Sequence, residues 1–292
     1  MKLSATRALP LLAGLAVTTP GQAHHGIASL GAASLDGPGA PVETSSSATL
    51  PQGQWLGYLK LDHVEYKTYD PDPGNPESDS AQYWMLGLGY GFTPWLSAYL
   101  FQPYHRKLDE PDGLDSTGFA DVSVIGVLGF KYDAGLRLTP GIESLDDLMD
   151  WHFTVYAGST LPSGDANHRL ADGTIDPGKA LGFGKASFIY GATATRQFSE
   201  RGTAVFEAGQ IRFQRYRYDD GQTMKFGTET RANAALAYRV LTLPESRFRL
   251  DANVEANYLK LGRDVADGVP ELATGGEMVY AVAGVRLYKD NT

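Results

Sequence analysis

The sequence predicts an all-β fold, an antiparallel transmembrane β-barrel, from three observations. First, segment after segment alternates apolar and polar residues, which is the period of a strand with two different faces. From residue 250 the apolar positions are Leu250, Ala252, Val254, Ala256 and Tyr258, and the polar positions between them are Asp251, Asn253, Glu255 and Asn257. Second, the chain opens with an export signal. Third, no later segment approaches the ~18 uninterrupted apolar residues that a membrane-spanning helix needs.

The first 23 residues have the composition of a secretory signal peptide. Lys2 and Arg7 give a positive start, residues 8–17 are apolar, and Ala23 is a small residue suited to cleavage. The apolar run is too short to cross a bilayer as a helix. We therefore expect residues 1–23 to be removed on export. Loss of the two cations would change the net charge from −9 to −11.

Composition separates a barrel from other exported proteins. The chain has 34 Gly, 16 Tyr, 12 Phe and no Cys, so disulfides and thiolate chemistry are excluded. Its acidic balance argues against nucleic acid as a partner. A soluble β-sandwich also alternates its faces. Here, however, the apolar faces use many alanines and aromatic residues and the opposite faces carry charges, which favours the barrel.

The mature chain divides into an N-terminal segment, 24–47, and a barrel domain, 48–292. The N-terminal segment is rich in Gly, Ser and Ala and has no period, so it is predicted to be flexible or tucked into the lumen. Ten strands are predicted in the barrel domain, at 48–69, 80–92, 94–107, 117–132, 150–161, 185–199, 202–217, 223–240, 247–262 and 276–289. Segments 94–107 and 202–217 are mixed, and their orientation stays open.

The connections alternate in length, as they do in outer-membrane barrels with long external loops and short periplasmic turns. Residues 133–149 are the exception, and we expect a short amphipathic helix there at the periplasmic rim. The chain ends on Lys289-Asp290-Asn291, which is turn chemistry. Ten visible strands can close by themselves. We favour the other interpretation, a truncated C-terminus and a natural barrel of twelve strands.

Polar residues opposite the apolar faces are predicted to line the lumen. An Arg or Lys that faces lipid at the membrane midplane costs about 2–4 kcal/mol, so charges on spanning strands belong inside. The predicted lining residues are Asp121, Lys131, His152, Tyr156, Arg239, Asp251, Asn253, Glu255, Asn257, Tyr280 and Arg286, and Arg196 and Glu207 are assigned to the same charged interior. This interior either selects solutes by charge and size or braces the barrel and blocks flow.

No spacing of residues predicts catalysis. Ser123 or Ser159 could serve as a nucleophile, but nothing in the sequence fixes a histidine beside either, so neither an enzyme nor a cofactor is predicted. After cleavage, His24 would offer its α-amine and ring nitrogen, with His25 adjacent. This combination suits copper or zinc. The alternative is that two histidines merely follow a signal peptide.

Three short motifs carry a family resemblance. The strand Gly118-Phe-Ala-Asp-Val-Ser-Val-Ile-Gly-Val-Leu-Gly-Phe-Lys131 resembles the GFGD-type strand of outer-membrane transporters grouped with the meta-cleavage pathway of phenol degradation. Leu161-Pro-Ser-Gly-Asp165 and Leu181-Gly-Phe-Gly184 are similar to that family's LPTGD and later glycine-rich motifs. Ala120 departs from the pattern, where the family often has glycine. The resemblance covers residues 48–289 and implies a transporter in the outer membrane.

The sequence thus predicts a Gram-negative outer-membrane channel or transporter for passive passage of small solutes, with aromatic or hydrophobic ones as one option. Expected partners are outer-membrane lipid, lipopolysaccharide and the barrel assembly machinery. Two alternatives stay open. One is a non-conducting structural or adhesive barrel. The other is a copper- or zinc-linked outer-membrane factor that uses His24 and His25.

Overall fold

Strands with alternating side chains make up most of the regular structure in the described residues. The computed structural model describes residues 38–65, 80–108, 115–143 and 147–289. The strands are β1 (Trp55–Glu65), β2 (Ser80–Thr93), β3 (Leu96–Leu108), β4 (Ser116–Phe119), β5 (Val122–Tyr132), β6 (Leu136–Leu138), β7 (Trp151–Leu161), β8 (Ser187–Gln197), β9 (Gly202–Arg212), β10 (Tyr216–Arg217), β11 (Thr223–Lys225), β12 (Glu229–Leu243), β13 (Phe248–Leu261), β14 (Val265–Ala266), β15 (Val269–Pro270) and β16 (Gly276–Lys289). Within these ranges, no helix is long and apolar enough to cross a membrane.

Ten long strands form one antiparallel sheet. They pair in the order β1-β2-β3-β5-β7-β8-β9-β12-β13-β16, and short β4 and β6 attach to β3 and β5. The sheet curls into a half-barrel. Each long strand falls on one of the ten predicted segments, so the prediction of an antiparallel all-β barrel fold is confirmed.

The two faces of the sheet have opposite chemistry. The outer face exposes large apolar side chains, among them Leu59, Leu86, Leu88, Val155, Phe206, Leu236, Val254 and Val285. The inner face buries polar ones, among them Thr154, Thr193, Thr195, Asp251, Asn253, Glu255 and Asn257. A water-soluble protein keeps charged and amide side chains at its surface and large apolar ones inside. The described part of this chain has the reverse arrangement.

The two mixed segments are now oriented. In β3, Tyr99 and Phe101 point inward, because glycines of β2 leave room for their rings. A Cβ on Gly89 would lie 2.8 Å from the Tyr99 ring, and one on Gly87 would lie 2.7 Å from the Phe101 ring. Apolar rings therefore occupy the inner face here, which is why the polarity of the segment does not reveal its orientation. In β9 the inner side chains include Val205 and Glu207, both buried.

The sheet has a short-turn end and a long-loop end. Tight connections, such as the turn closed by the bond from Phe198 N to Gly202 O (3.0 Å), lie at the short-turn end. The long-loop end carries a second small sheet, β10-β11-β14-β15. Where a short amphipathic helix was expected within 133–149, the described residues form β6 and a single turn of 3-10 helix at Asp147–Met149. Gly135, Pro140 and Gly141 disfavour a continuous helix there.

Strands β1 and β16 are the two edges of the long sheet, and each pairs on one side only within the described residues. Glu43 connects the two sides: its carboxylate pairs with Lys60 of β1 (2.8 Å), and its backbone N–H donates to Glu255 of β13, the strand next to β16 (3.0 Å). Tyr280 of β16 interacts electrostatically with Lys60 of β1 and with Glu43. The two edges therefore face each other, with polar side chains between them.

Candidate functional site

A segment without secondary structure crosses the inner face. Residues 38–50, here called the strap, run across the strands rather than along them. The strap begins beside β9, where Gly39 N donates to Thr203 Oγ1 (2.9 Å). It reaches β3 where Leu50 N donates to Ser97 Oγ (2.8 Å). Its small side chains allow it to lie close against the wall of the half-barrel.

Glu255 on β13 is the main anchor of the strap. Its carboxylate accepts hydrogen bonds from three successive backbone N–H groups, those of Val42 (2.6 Å), Glu43 (3.0 Å) and Thr44 (2.8 Å). The Thr44 hydroxyl adds a fourth at 2.6 Å. Hydrogen bonds to a charged group contribute about 1.5–3 kcal/mol each. Glu255 is buried, so its negative charge is satisfied by the strap.

Glu207 on β9 is the second anchor. It accepts from Ser45 N (2.8 Å), from the Tyr156 hydroxyl (3.0 Å) and from Asn233 Nδ2 (3.2 Å). Tyr156 reaches it from β7 by crossing two glycines, Gly191 and Gly209, where any Cβ would overlap the phenol. One carboxylate thus joins the strap to three strands.

Neutral and ionic contacts complete the attachment. Ser47 N donates to Thr195 Oγ1 (2.8 Å), and its hydroxyl shares a hydrogen bond with Thr193 (2.6 Å). Glu43 of the strap pairs with Lys60 of β1 (2.8 Å). Apart from Glu43 and Lys60, which are 17 residues apart, these attachments join residues far apart in sequence, so composition alone could not assign a partner to the strap.

Most of the predicted lining residues lie on the inner face. Lys131, His152, Tyr156, Asp251, Asn253, Glu255 and Asn257 are buried there, Arg239 and Arg286 are half-buried, and Tyr280 is partly exposed beside the open edge. Asp251 stands opposite Arg239 and Arg286 on the neighbouring strands. Its bidentate partner is instead Arg249, from Nε to Oδ1 at 2.7 Å. Arg249 has the same parity as Asp251, so the alternation could have found it.

Lys131 organises a charged cluster at the short-turn end. Its ammonium group contacts Asp147, lies 3.0 Å from Asp150 and lies 3.9 Å from Glu143. His152 Nε2 is 2.8 Å from the same Glu143. Oxygens of Asp133, Asp147 and Asp150 converge within 4.8 Å, a spacing that could hold a metal ion. The buried ammonium already supplies the cation that this acidic group requires, so we assign the cluster to ion pairing.

Arg196 corrects the predicted interior. It lies on the exposed outer side of β8, and its guanidinium carbon is 5.6 Å from the centroid of the Trp151 ring. The position is at the short-turn end, where a long basic side chain can cover a ring and still reach polar surroundings. The alternation of β8 places Arg196 with Ala192 and Ala194, so its charge misled the assignment.

Asp121 anchors loops rather than lining a wall. Its carboxylate accepts from Gly164 N and Phe183 N, both at 2.8 Å. Burial raises the pKa of Asp121, and these backbone hydrogen bonds oppose the rise. The three motifs of the sequence therefore meet at one side chain. A Cβ on Gly182 would lie 2.5 Å from Asp121 Oδ1, which explains a glycine there by close packing.

The other candidates give no reactive group among the described residues. The hydroxyl of Ser159 donates to the carbonyl of Ser187 (2.8 Å), and no hydrogen bond joins it or Ser123 to a histidine in the described ranges. His24 and His25 lie outside those ranges, so metal binding at the mature N-terminus stays a prediction.

Comparison with solved structures finds a similar fold. The structure is similar to the COG4313 outer membrane channel from Pseudomonas putida F1, with a TM-score of 0.61 and 15% sequence identity. The match covers 83% of this chain and 85% of the channel. No family model and no curated protein sequence matches the chain. The likeness establishes the fold.

Proposed function

We propose that this protein is an outer-membrane channel for the passive passage of small solutes, held closed by the strap. One observation carries the proposal: the sheet is apolar outside and polar inside, strand after strand. The similar fold of an outer membrane channel supports it. A channel is also the function that needs no catalytic constellation.

The order of the outward side chains along a strand also fits a membrane. Along β2 the outward side chains are Trp84, Leu86, Leu88, Tyr90 and Phe92. Aromatic residues thus stand at both ends of a leucine stretch. Trp84 and Phe92 are about 26 Å apart along the strand, of the same order as the ~25 Å apolar band of membrane barrels with its two aromatic girdles. Trp55 packs against Tyr90 in a tilted arrangement, with ring centroids 4.6 Å apart, and extends the girdle at the short-turn end.

The interior fits a pathway for polar solutes that is blocked in this conformation. Displacement of the strap would free Glu207 and Glu255 and separate Glu43 from Lys60. The opened lumen would then present two additional carboxylates, which attract cations. We infer a closed state with the strap bound, and we infer that release of the strap makes the layer of the lumen around Glu207 and Glu255 cation-preferring.

The second candidate is a non-conducting structural barrel. The strap itself favours it, because a segment held by at least two carboxylates and several hydroxyls could be a permanent plug. Substrate, cleavage of the signal peptide, binding of lipopolysaccharide, and the link to phenol degradation all remain proposals that follow from the sequence.

The test is single-channel recording in planar bilayers with the mature chain and with the variant Glu207→Gln/Glu255→Gln. We expect discrete steps from the mature chain. The variant should give steps several-fold larger, because amides bind the strap's N–H groups less strongly than carboxylates. Cleavage after Glu43 by a Glu-specific protease measures strap release independently and should accelerate in the variant.

The matched control is Glu277→Gln, which removes a carboxylate on the exposed outer face, where Glu277 pairs with Lys260. Its conductance and cleavage should equal those of the mature chain. Faster cleavage at Glu43 without any rise in conductance would show that release of the strap does not open the lumen, and would overturn the proposed role of the strap.

A further inference from the structure

Three phenylalanine rings meet at the long-loop end of the lumen. Phe183 precedes β8, whereas Phe213 and Phe226 belong to the connection between β9 and β12. The centroid of Phe183 is 4.7 Å from that of Phe213 and 5.2 Å from that of Phe226, and the last two are 5.9 Å apart. These residues, here called the phenylalanine lid, close two separate connections against each other.

The wall beneath the lid is apolar. Ile125, Ile189 and Ile211 lie on the inner face, and the last two are direct cross-strand neighbours. They form one buried cluster with Phe213 and Phe226. The strap, by contrast, crosses a layer of carboxylates and hydroxyls nearer the short-turn end. The strap and the three rings therefore lie at different heights in the lumen, and the buried apolar cluster continues between them to Tyr156 and to Leu50 of the strap.

Buried carboxylates fix the backbone of the lid. Phe183 N donates to Asp121 (2.8 Å), and Gly227 N, next to Phe226, donates to Asp264 (2.7 Å). Both aspartates are buried. Two of the three rings are thus set in position by hydrogen bonds from their own or the next residue.

We propose that the phenylalanine lid is a second closure, in series with the strap, which excludes hydrated ions and opens for uncharged apolar solutes. The inference rests on the proposed channel function. An apolar constriction expels water, so an ion would have to shed its hydration shell to pass. An apolar solute can replace the ring–ring contacts that it displaces, and this is the physical basis of the selectivity.

The test compares the KCl conductance of four proteins: the mature chain, the strap variant Glu207→Gln/Glu255→Gln, the lid variant Phe183→Ala/Phe213→Ala/Phe226→Ala, and their combination. Closures in series predict that each separate variant conducts at less than about one tenth of the combination. A strap variant that conducts as well as the combination would overturn the lid. A combination that inserts, folded, and stays silent would instead reject the channel, and the inference with it.

Two further triple variants of the lid, each combined with Glu207→Gln/Glu255→Gln, distinguish the effect of apolar side chains from the effect of ring size. Replacement of all three rings by Leu should leave the ion barrier in place, whereas replacement by Ser should remove it. Equal opening by both would contradict an apolar barrier. Phe119→Ala is the control, because Phe119 is exposed on the outer side against Tyr104, and its conductance should not change.

The solute class is tested with benzyl alcohol, an uncharged aromatic probe, and with glycerol as its polar counterpart. Benzyl alcohol should raise the open probability of the strap variant several-fold and should leave the strap-and-lid combination unchanged. Glycerol should affect neither protein. An equal response of both proteins to benzyl alcohol would show an effect on the bilayer and would overturn the proposed selectivity.

Discussion

Single residues determine how tightly the interior fits together. Glu207 and Glu255 are ordinary carboxylates in the sequence, and their roles come from the backbone N–H groups that they receive. The glycines facing Tyr156 matter equally, because the phenol reaches Glu207 only over a surface without side chains. Contacts of this kind are short, and one added methyl group is enough to disturb them.

Gly209→Ala tests this fit. The new Cβ would overlap the Tyr156 hydroxyl, so we expect a loss of about 1–3 kcal/mol in the free energy of unfolding. Tyr156→Phe removes the overlapping oxygen and costs about 1.5–3 kcal/mol for the lost hydrogen bond to the Glu207 carboxylate. The double variant should therefore be no less stable than Tyr156→Phe alone in urea unfolding from lipid vesicles.

The control for this cycle is Gly57→Ala on β1, where a Cβ would meet nothing within 4 Å. It should leave stability unchanged. If the losses in the free energy of unfolding from Gly209→Ala and Tyr156→Phe simply added in the double variant, the two residues would not be in contact.

At the scale of elements, the loops of the long-loop end are tied to the sheet through Asp121. Asp121 lies between β4 and β5, and its two motif partners, Gly164 and Phe183, belong to the loop after β7 and to the loop before β8. This explains why glycine-rich motifs far apart in sequence occur together in one chain. It also makes the loops sensitive to the protonation of one carboxyl group.

Asp121→Asn should alter the pH dependence of stability. Burial raises the pKa of Asp121 above its usual 3.8, so the folded state holds the proton more tightly than the unfolded chain does. The corresponding stability is fully present below 3.8 and is lost as pH rises through the raised pKa. The variant cannot ionise there, and its free energy of unfolding should fall less over about pH 3 to 7.

Asp172→Asn should change the pH dependence of the free energy of unfolding in the opposite direction. Hydrogen bonds from Thr174 lower the pKa of the exposed Asp172, so its contribution is present above 3.8 and is lost as pH falls through the lowered pKa. If Asp121→Asn kept the full pH slope of the parent chain, the titration of Asp121 would not control these loops.

For the whole molecule, the distribution of side chains separates a membrane barrel from a soluble sandwich. Apolar side chains cover the outside of all ten long strands, and charges on the strands lie inside or near the strand ends. If lipid covers the outer face, the folding free energy lost by placing a charge there depends strongly on the depth of the residue in the membrane. If water covers that face, the loss is almost independent of depth.

Leu236→Arg and Leu243→Arg measure that dependence on one strand. Both leucines are exposed on the outer face of β12, at 52% and 45%, but Leu236 lies in the middle and Leu243 at the short-turn end. In vesicles, Leu236→Arg should cost about 2–4 kcal/mol of folding free energy and Leu243→Arg about 0–1 kcal/mol. Equal, small effects at the two depths would exclude the membrane.

The sequence by itself determined the ten long strands, their two faces and the two ends. These follow from alternation over a few residues and from turn composition, both of which are local. In the structure Lys131, Asp251 and Glu255 are buried on the inner face of the sheet. The sequence failed at Arg196, where a charge outweighed strand parity, and at β3, where rings fill space left by glycines of the next strand.

Only the tertiary structure decided what closes the interior. The strap has no period and few distinctive side chains, and its anchor Glu255 lies 211 residues from Thr44. The phenylalanine lid likewise joins residues from two loops. Such contacts depend on which strands the sheet brings together and on how far it curls. Local patterning carries no information about either, because hydrogen bonds and ring contacts of this kind form only after the walls have been assembled.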